Sequence, residues 1–124
     1  MIIMTVDDSR SVRLMVALTL KQAGHQVVEA ASGEEALERL KAEKIDLIVC
    51  DINMPGMDGN QLVQRVKGIQ EYSSIPIIML TTENAQGKLA EAKKAGAFGW
   101  MNKPFKAEQL IAAVKTVADK LCIS

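Results

Sequence analysis

Leu47-Ile48-Val49-Cys50-Asp51-Ile52-Asn53-Met54-Pro55-Gly56-Met57-Asp58-Gly59 is the stretch on which the fold turns. It opens as a short apolar run, closes that run with a carboxylate, and reaches Asp58, which can cap a helix running to about Ile69. A strand that ends on an acid and hands the chain to a helix reads as one βα unit.

The same unit recurs on both sides of it. Runs rich in Ile, Val and Leu lie near residues 2–6, 26–30, 46–51, 76–81 and 98–101, and each is followed by a stretch of helical period. Val12, Met15, Val16, Thr19, Leu20 and Ala23 mark the first helix, with Gly24 as its stop. Ser32 and Glu35 have capping-box spacing ahead of Ala36, Leu37 and Leu40. Asn84 can cap a fourth helix that ends before Gly96, and a fifth follows Pro104 to about Leu121. Right-handed crossovers then favour an α/β fold: a (βα)5 doubly wound, five-stranded parallel sheet of order 2-1-3-4-5.

Size and composition fit one globular domain over residues 1–124. Hydrophobic residues make up 48% and charged residues 24%, too apolar for a disordered chain. The longest apolar runs fall far short of the roughly 20 residues a membrane span needs, so membrane insertion is not expected. Met1-Ile2-Ile3-Met4 meets Asp7-Asp8 without a basic segment, which predicts a cytoplasmic protein. Cys50 and Cys122 are expected to be reduced thiols. A net charge of zero argues against nucleic-acid binding. Residues 1–60 carry 6 basic and 10 acidic side chains and residues 61–124 carry 9 and 5, which points to an acidic pocket built from the first half.

In open α/β sheets of this kind ligands bind at the carboxyl ends of the strands, beside the switch in strand order. Asp7 and Asp8 follow the first run and Asp51 closes the third, so the expected order gathers three carboxylates there. Mutual repulsion would raise their pKa values, whereas a hard divalent cation keeps them ionised, and Mg2+ suits such an oxygen set. Thr81 ends the fourth run, and Lys103 precedes Pro104 after the fifth. A phosphoryl group on Asp51, the central carboxylate, would find a hydroxyl in Thr81, an ammonium in Lys103 and a metal among the acids.

Asp7-Asp8-Ser9, the Asp51–Gly59 stretch, Thr81 and Lys103-Pro104 resemble, in order and spacing, the signature of response-regulator receiver domains, in their single-domain, CheY-like chemotaxis form. That resemblance implies a flavodoxin-like sheet of the order just given, which flavodoxin and CheY share. It implies Asp51 as phosphoacceptor, and Mg2+ held by Asp8, Asp51 and the Asn53 main-chain carbonyl, with Asp7 acting through water. It further implies Lys103 on the phosphoryl group and Thr81 as a switch hydroxyl that frees room for an aromatic on the fifth strand. The aromatic is Trp100, where Tyr or Phe is usual, and an indole is larger and needs a partner for its N–H when buried. Asn53 and Glu83 occupy positions that tune the acyl-phosphate lifetime, and predict fast self-dephosphorylation.

By the same resemblance the phosphodonor is a CheA-like chemotaxis histidine kinase and the target a flagellar motor switch protein, with an accessory phosphatase as a further partner. The chain is expected to be monomeric, to have no output domain, and to catalyse only its own phosphorylation and dephosphorylation. Its target surface would lie on the fourth helix, fifth strand and fifth helix, with Lys88, Lys93, Trp100, Lys106 and Lys115. Phosphorelay intermediates and phosphate sinks share these residues.

Other chemistries fit less well. Pro55 and Leu62 stand where a calcium loop needs oxygen ligands, and no phosphate-cradling glycine loop occurs. An aspartyl-phosphate phosphatase of the haloacid dehalogenase type would place its acid/base Asp at Asn53, which cannot exchange a proton.

Overall fold

The computed structural model describes residues 1–82 and 86–120. Five strands, β1 (Ile2–Val6), β2 (Gln26–Ala30), β3 (Leu47–Asp51), β4 (Ile77–Thr81) and β5 (Gly99–Asn102), alternate with five helices. These are α1 (Arg10–Gln22), α2 (Gly33–Ala42), α3 (Gly59–Gly68), α4 (Gln86–Ala95) and α5 (Ala107–Lys120). The strands pair in parallel in the order β2-β1-β3-β4-β5, as the alternation predicts.

Strand alternation divides the core between the two faces of the sheet. Ile3, Leu47, Val49, Ile78 and Leu80 pack with Val16 and Leu20 of α1 and Leu110, Val114 and Val117 of α5. Met4, Val6, Ile48, Cys50, Ile77 and Met79 turn the other way, against Leu40 of α2, Leu62, Val63 and Val66 of α3, and Leu89 of α4. Every residue of β3 and β4 is buried, because helices cover both sides of them. β5 is one of the two edge strands, opposite β2, and alternates between half-buried and exposed.

Local chemistry sets most element ends. Ser9 caps α1, and Gly24, at φ +95°, takes the left-handed conformation that closes it. Asp58 and Gln61 form a reciprocal capping box on α3. At α2 only half of the expected box forms. Ser32 accepts from the Glu35 N–H at 3.1 Å, while the Glu35 side chain stays in solvent. β5 begins one residue later than the apolar run suggests, and α3 stops one residue earlier. Asn84, Glu83, Leu121 and Cys122 lie outside the described residues. No helix among the described residues is long and apolar enough to cross a membrane.

One packing detail places the site. The start of α3 lies so close to the end of β3 that a Cβ on Gly59 would stand 2.5 Å from the Asp51 carbonyl oxygen and 2.8 Å from Ile52 Cα. Glycine lets the Gly59 N–H donate to the Ile52 carbonyl at 2.9 Å and anchors the loop that carries Asp51 and Asn53.

Candidate phosphoacceptor site

The carboxyl ends of β1 and β3 bring Asp7, Asp8 and Asp51 together, and one oxygen from each lies within 4.8 Å of the others. All three acids come from the first half of the chain and are three of its ten acidic side chains. Asp7 is fully buried and Asp51 nearly so, while Asp8 faces solvent. Asp7 accepts from the Ser9 N–H at 2.9 Å, and its main-chain carbonyl accepts from Arg13 Nη1 at 2.7 Å.

Lys103 enters from the end of β5. Its N–H donates to the Thr81 carbonyl at 2.7 Å, tying it to the neighbouring strand end, and a cis bond to Pro104 follows. From there Nζ reaches Asp51 Oδ1 at 3.0 Å and Asp7 Oδ2 at 3.4 Å. Burial and the nearby Asp51 charge raise the Asp7 pKa, against the Ser9 N–H and Lys103. For Lys103 burial works against the charge, but bonding and attraction to Asp51 and Asp7 win, and its pKa is raised. One ammonium therefore contacts two of the three clustered carboxylates, a hard-oxygen donor set with charge left for a divalent cation.

Thr81 is buried at the end of β4, beside Lys103, and its hydroxyl donates to the Thr82 carbonyl at 3.1 Å. Asn53 is exposed, and its Oδ1 accepts from Lys88 Nζ at 3.1 Å. Trp100 lies apart from this cluster, 48% exposed on β5, with Lys93 Nζ 3.5 Å from its ring centroid. Glu83 lies outside the described residues.

Sequence reading overlooked two participants. Arg13 links the end of β1 to Glu29 of β2, at 3.5 Å from Nε to Oε1. Its place in the first turn after an acidic pair was the available signal. Lys88 was read only as a surface charge, and no local pattern connects it with a residue 35 positions away. Cys50 is buried in the core, where burial pushes its thiol well above the ordinary value. That leaves it an inert thiol.

A buried acid paired with a lysine, among further acids at the strand ends of a 2-1-3-4-5 sheet, is an acidic crevice of the doubly wound α/β class. The response regulator receiver domain family matches residues 3–115, and the chain belongs to it. A chemotaxis protein CheY homolog of Campylobacter jejuni is 39% identical over 110 residues, covering 87% of this chain and 85% of that protein. Chemotaxis protein CheY1 of Helicobacter pylori is 38% identical over 110 residues, covering 87% and 89%. The structure of Vibrio cholerae chemotaxis protein CheY4 superposes with a TM-score of 0.88 at 43% identity, covering 94% of this chain and 97% of that one. Receiver domains take phosphate from histidine kinases and bind Mg2+ in an acidic pocket, and the Asp7, Asp8 and Asp51 cluster has the form of that pocket.

Proposed function

We propose that this chain is a phosphorylation-activated switch for chemotaxis, which receives a phosphoryl group on Asp51 from a CheA-like histidine kinase. The observation that carries the reading is the Asp51–Lys103 ion pair at 3.0 Å, set among Asp7 and Asp8. Asp51 Oδ attacks phosphorus as the phosphohistidine P–N bond breaks, giving an acyl phosphate. Hydrolysis later returns the carboxylate and inorganic phosphate, so the chain turns over no separate substrate.

Asp8, Asp51 and the Asn53 carbonyl would hold Mg2+, with Asp7 acting through water. Bound there, Mg2+ supplies charge to offset the phosphoryl oxygens and orients them. Lys103 already touches Asp51 and would transfer one contact to the phosphoryl group. Thr81 would turn its hydroxyl from the Thr82 carbonyl to a phosphoryl oxygen, which opens space beneath β5 for Trp100. Asn53 and Glu83 would set the lifetime. An apolar cleft lined by Val12, Met15, Pro104 and Phe105 opens beside Lys103, and α1 also exposes Leu14 and Leu18. A donor protein can bury that surface while it presents its phosphohistidine.

The target reading is a flagellar motor switch protein engaging α4, β5 and α5, as the resemblance to CheY-like receivers implies. Binding of the purified switch protein should strengthen when beryllofluoride and Mg2+ are added. Binding that ignores beryllofluoride, or that selects a relay protein, would replace the motor with a phosphorelay or phosphate-sink role.

A further inference from the structure

The bond between Lys88 and Asn53 joins α4 to the loop after the phosphoacceptor. Lys88 Nζ donates to Asn53 Oδ1 at 3.1 Å, across 35 residues of chain. A second polar tie runs beside it, from Asn60 Nδ2 of α3 to Glu91 Oε2 of α4 at 3.2 Å. Leu89 and Ala92 of α4 are buried in the core, and Ala95 packs against it. These apolar contacts seat α4, and the Lys88 bond ties it to the Asn53 side chain.

The direction of the Lys88 bond decides what Asn53 can offer. An amide presents an acceptor oxygen at one end and two donors at the other, whereas an ammonium only donates. Contact with Lys88 thus fixes Oδ1 toward α4 and turns Nδ2 the other way. These two ends have opposite effects on an acyl phosphate two residues upstream. An amide oxygen that accepts an O–H of water leaves the water's lone pair free to attack phosphorus. An amide N–H donates to phosphoryl oxygens, or occupies the water's lone pair, and hinders attack.

We infer that Lys88 is a positioning residue that prolongs the phosphorylated state by holding the Asn53 carbonyl oxygen toward α4, away from the attacking water. This rests on Asp51 being the acceptor, as proposed above. In the step it slows, a water oxygen bonds to phosphorus and the P–O bond to Asp51 Oδ breaks. The water's proton passes to inorganic phosphate or solvent, and Asp51 returns as a carboxylate. Lys88 does not touch the reacting atoms. It acts through Asn53 alone.

The test is first-order decay of the acyl phosphate, formed from acetyl phosphate with Mg2+ and followed after donor removal. Five proteins are compared: wild type, Lys88→Ala, Lys88→Arg, Asn53→Ala and the Lys88→Ala/Asn53→Ala double variant. Lys88→Ala should accelerate decay about 3- to 10-fold, the scale of one solvent-exposed hydrogen bond. Lys88→Arg, also a pure donor, should restore the wild-type rate. Lys88→Ala should have no effect once Asn53 is Ala, a non-additivity that a general loosening of α4 would not produce. Decay left unchanged or slowed by Lys88→Ala, or raised equally in both backgrounds, would overturn the inference while the acceptor reading stands. A wild-type chain that forms no acyl phosphate would overturn both.

Discussion

Lys93 Nζ sits 3.5 Å from the centroid of the Trp100 ring, on the outer side of the sheet edge. The pair stabilises Trp100 in its half-exposed position by about 0.5–1 kcal/mol, the usual worth of a cation–π contact at an exposed site. An inward turn of the indole has to break it. Activation by beryllofluoride and Mg2+ should shift Trp100 fluorescence to the blue. Lys93→Ala should favour the inward state by about 2- to 5-fold and lower the midpoint of that titration. Emission that does not respond in either protein would assign Trp100 a fixed surface role.

Lys103 carries the only ammonium contact to Asp51 among the described residues. Lys103→Met leaves Asp51 and Asp7 facing one another without it, so the metal-free protein should lose about 1–2 kcal/mol in urea unfolding, a value moderated by partial exposure of the lysine. Phosphorylation from acetyl phosphate should fall more than tenfold, since one contact to the transferring group is gone. A stable, fully phosphorylated Lys103→Met protein would contradict this account of the site.

Asp7 sets a pH dependence whose sign follows from its raised pKa. Above the ordinary value of 3.8 the folded chain retains the Asp7 proton more than the unfolded chain does, so this group makes metal-free stability fall as pH rises through its folded pKa. Asp7→Asn should remove that slope and raise the melting temperature without metal. The same substitution should weaken the stabilisation that Mg2+ gives to the wild type. Thermal scans across pH, with and without Mg2+, test both effects. A metal-free melting temperature lowered by Asp7→Asn would show that the carboxylate is satisfied without a cation.

Gly59 has no room for a side chain where α3 meets β3. Gly59→Ala should cost about 1–3 kcal/mol, because its Cβ must push away the Asp51 carbonyl and the Ile52 backbone. Displacement of Asp51 should slow phosphorylation as well. Gly68→Ala, at a position where nothing lies within 4 Å of the added carbon, is the control and should be neutral or slightly stabilising. Urea unfolding of the two variants separates them.

Much of this molecule was legible because its signals are local or periodic. Ile2–Val6 and Gln26–Ala30 stand as strands where their apolar runs lie, and Asp58 caps α3 through its own side chain. Asp7, Asp8, Asp51, Thr81 and Lys103 were readable because a parallel sheet sends all its strand ends to one edge. What the sequence hid depends on contacts between distant elements. Lys88 meets Asn53 only after α4 folds across the β3–α3 loop, and the contact of Lys93 with Trp100 likewise joins α4 to β5. The Ser32–Glu35 spacing overstated its case, since a solvated carboxylate gains little by folding back onto the backbone.

The central claim is that Asp51 is the phosphoacceptor. Incubation with acetyl phosphate and Mg2+, reduction of the acyl phosphate with borohydride, and peptide mass spectrometry locate the modified residue directly. The account predicts one reduced site, at Asp51, absent from Asp51→Asn protein and from reactions with chelator. An unmodified Asp51, or labelling at Asp8 or His25 instead, would contradict it.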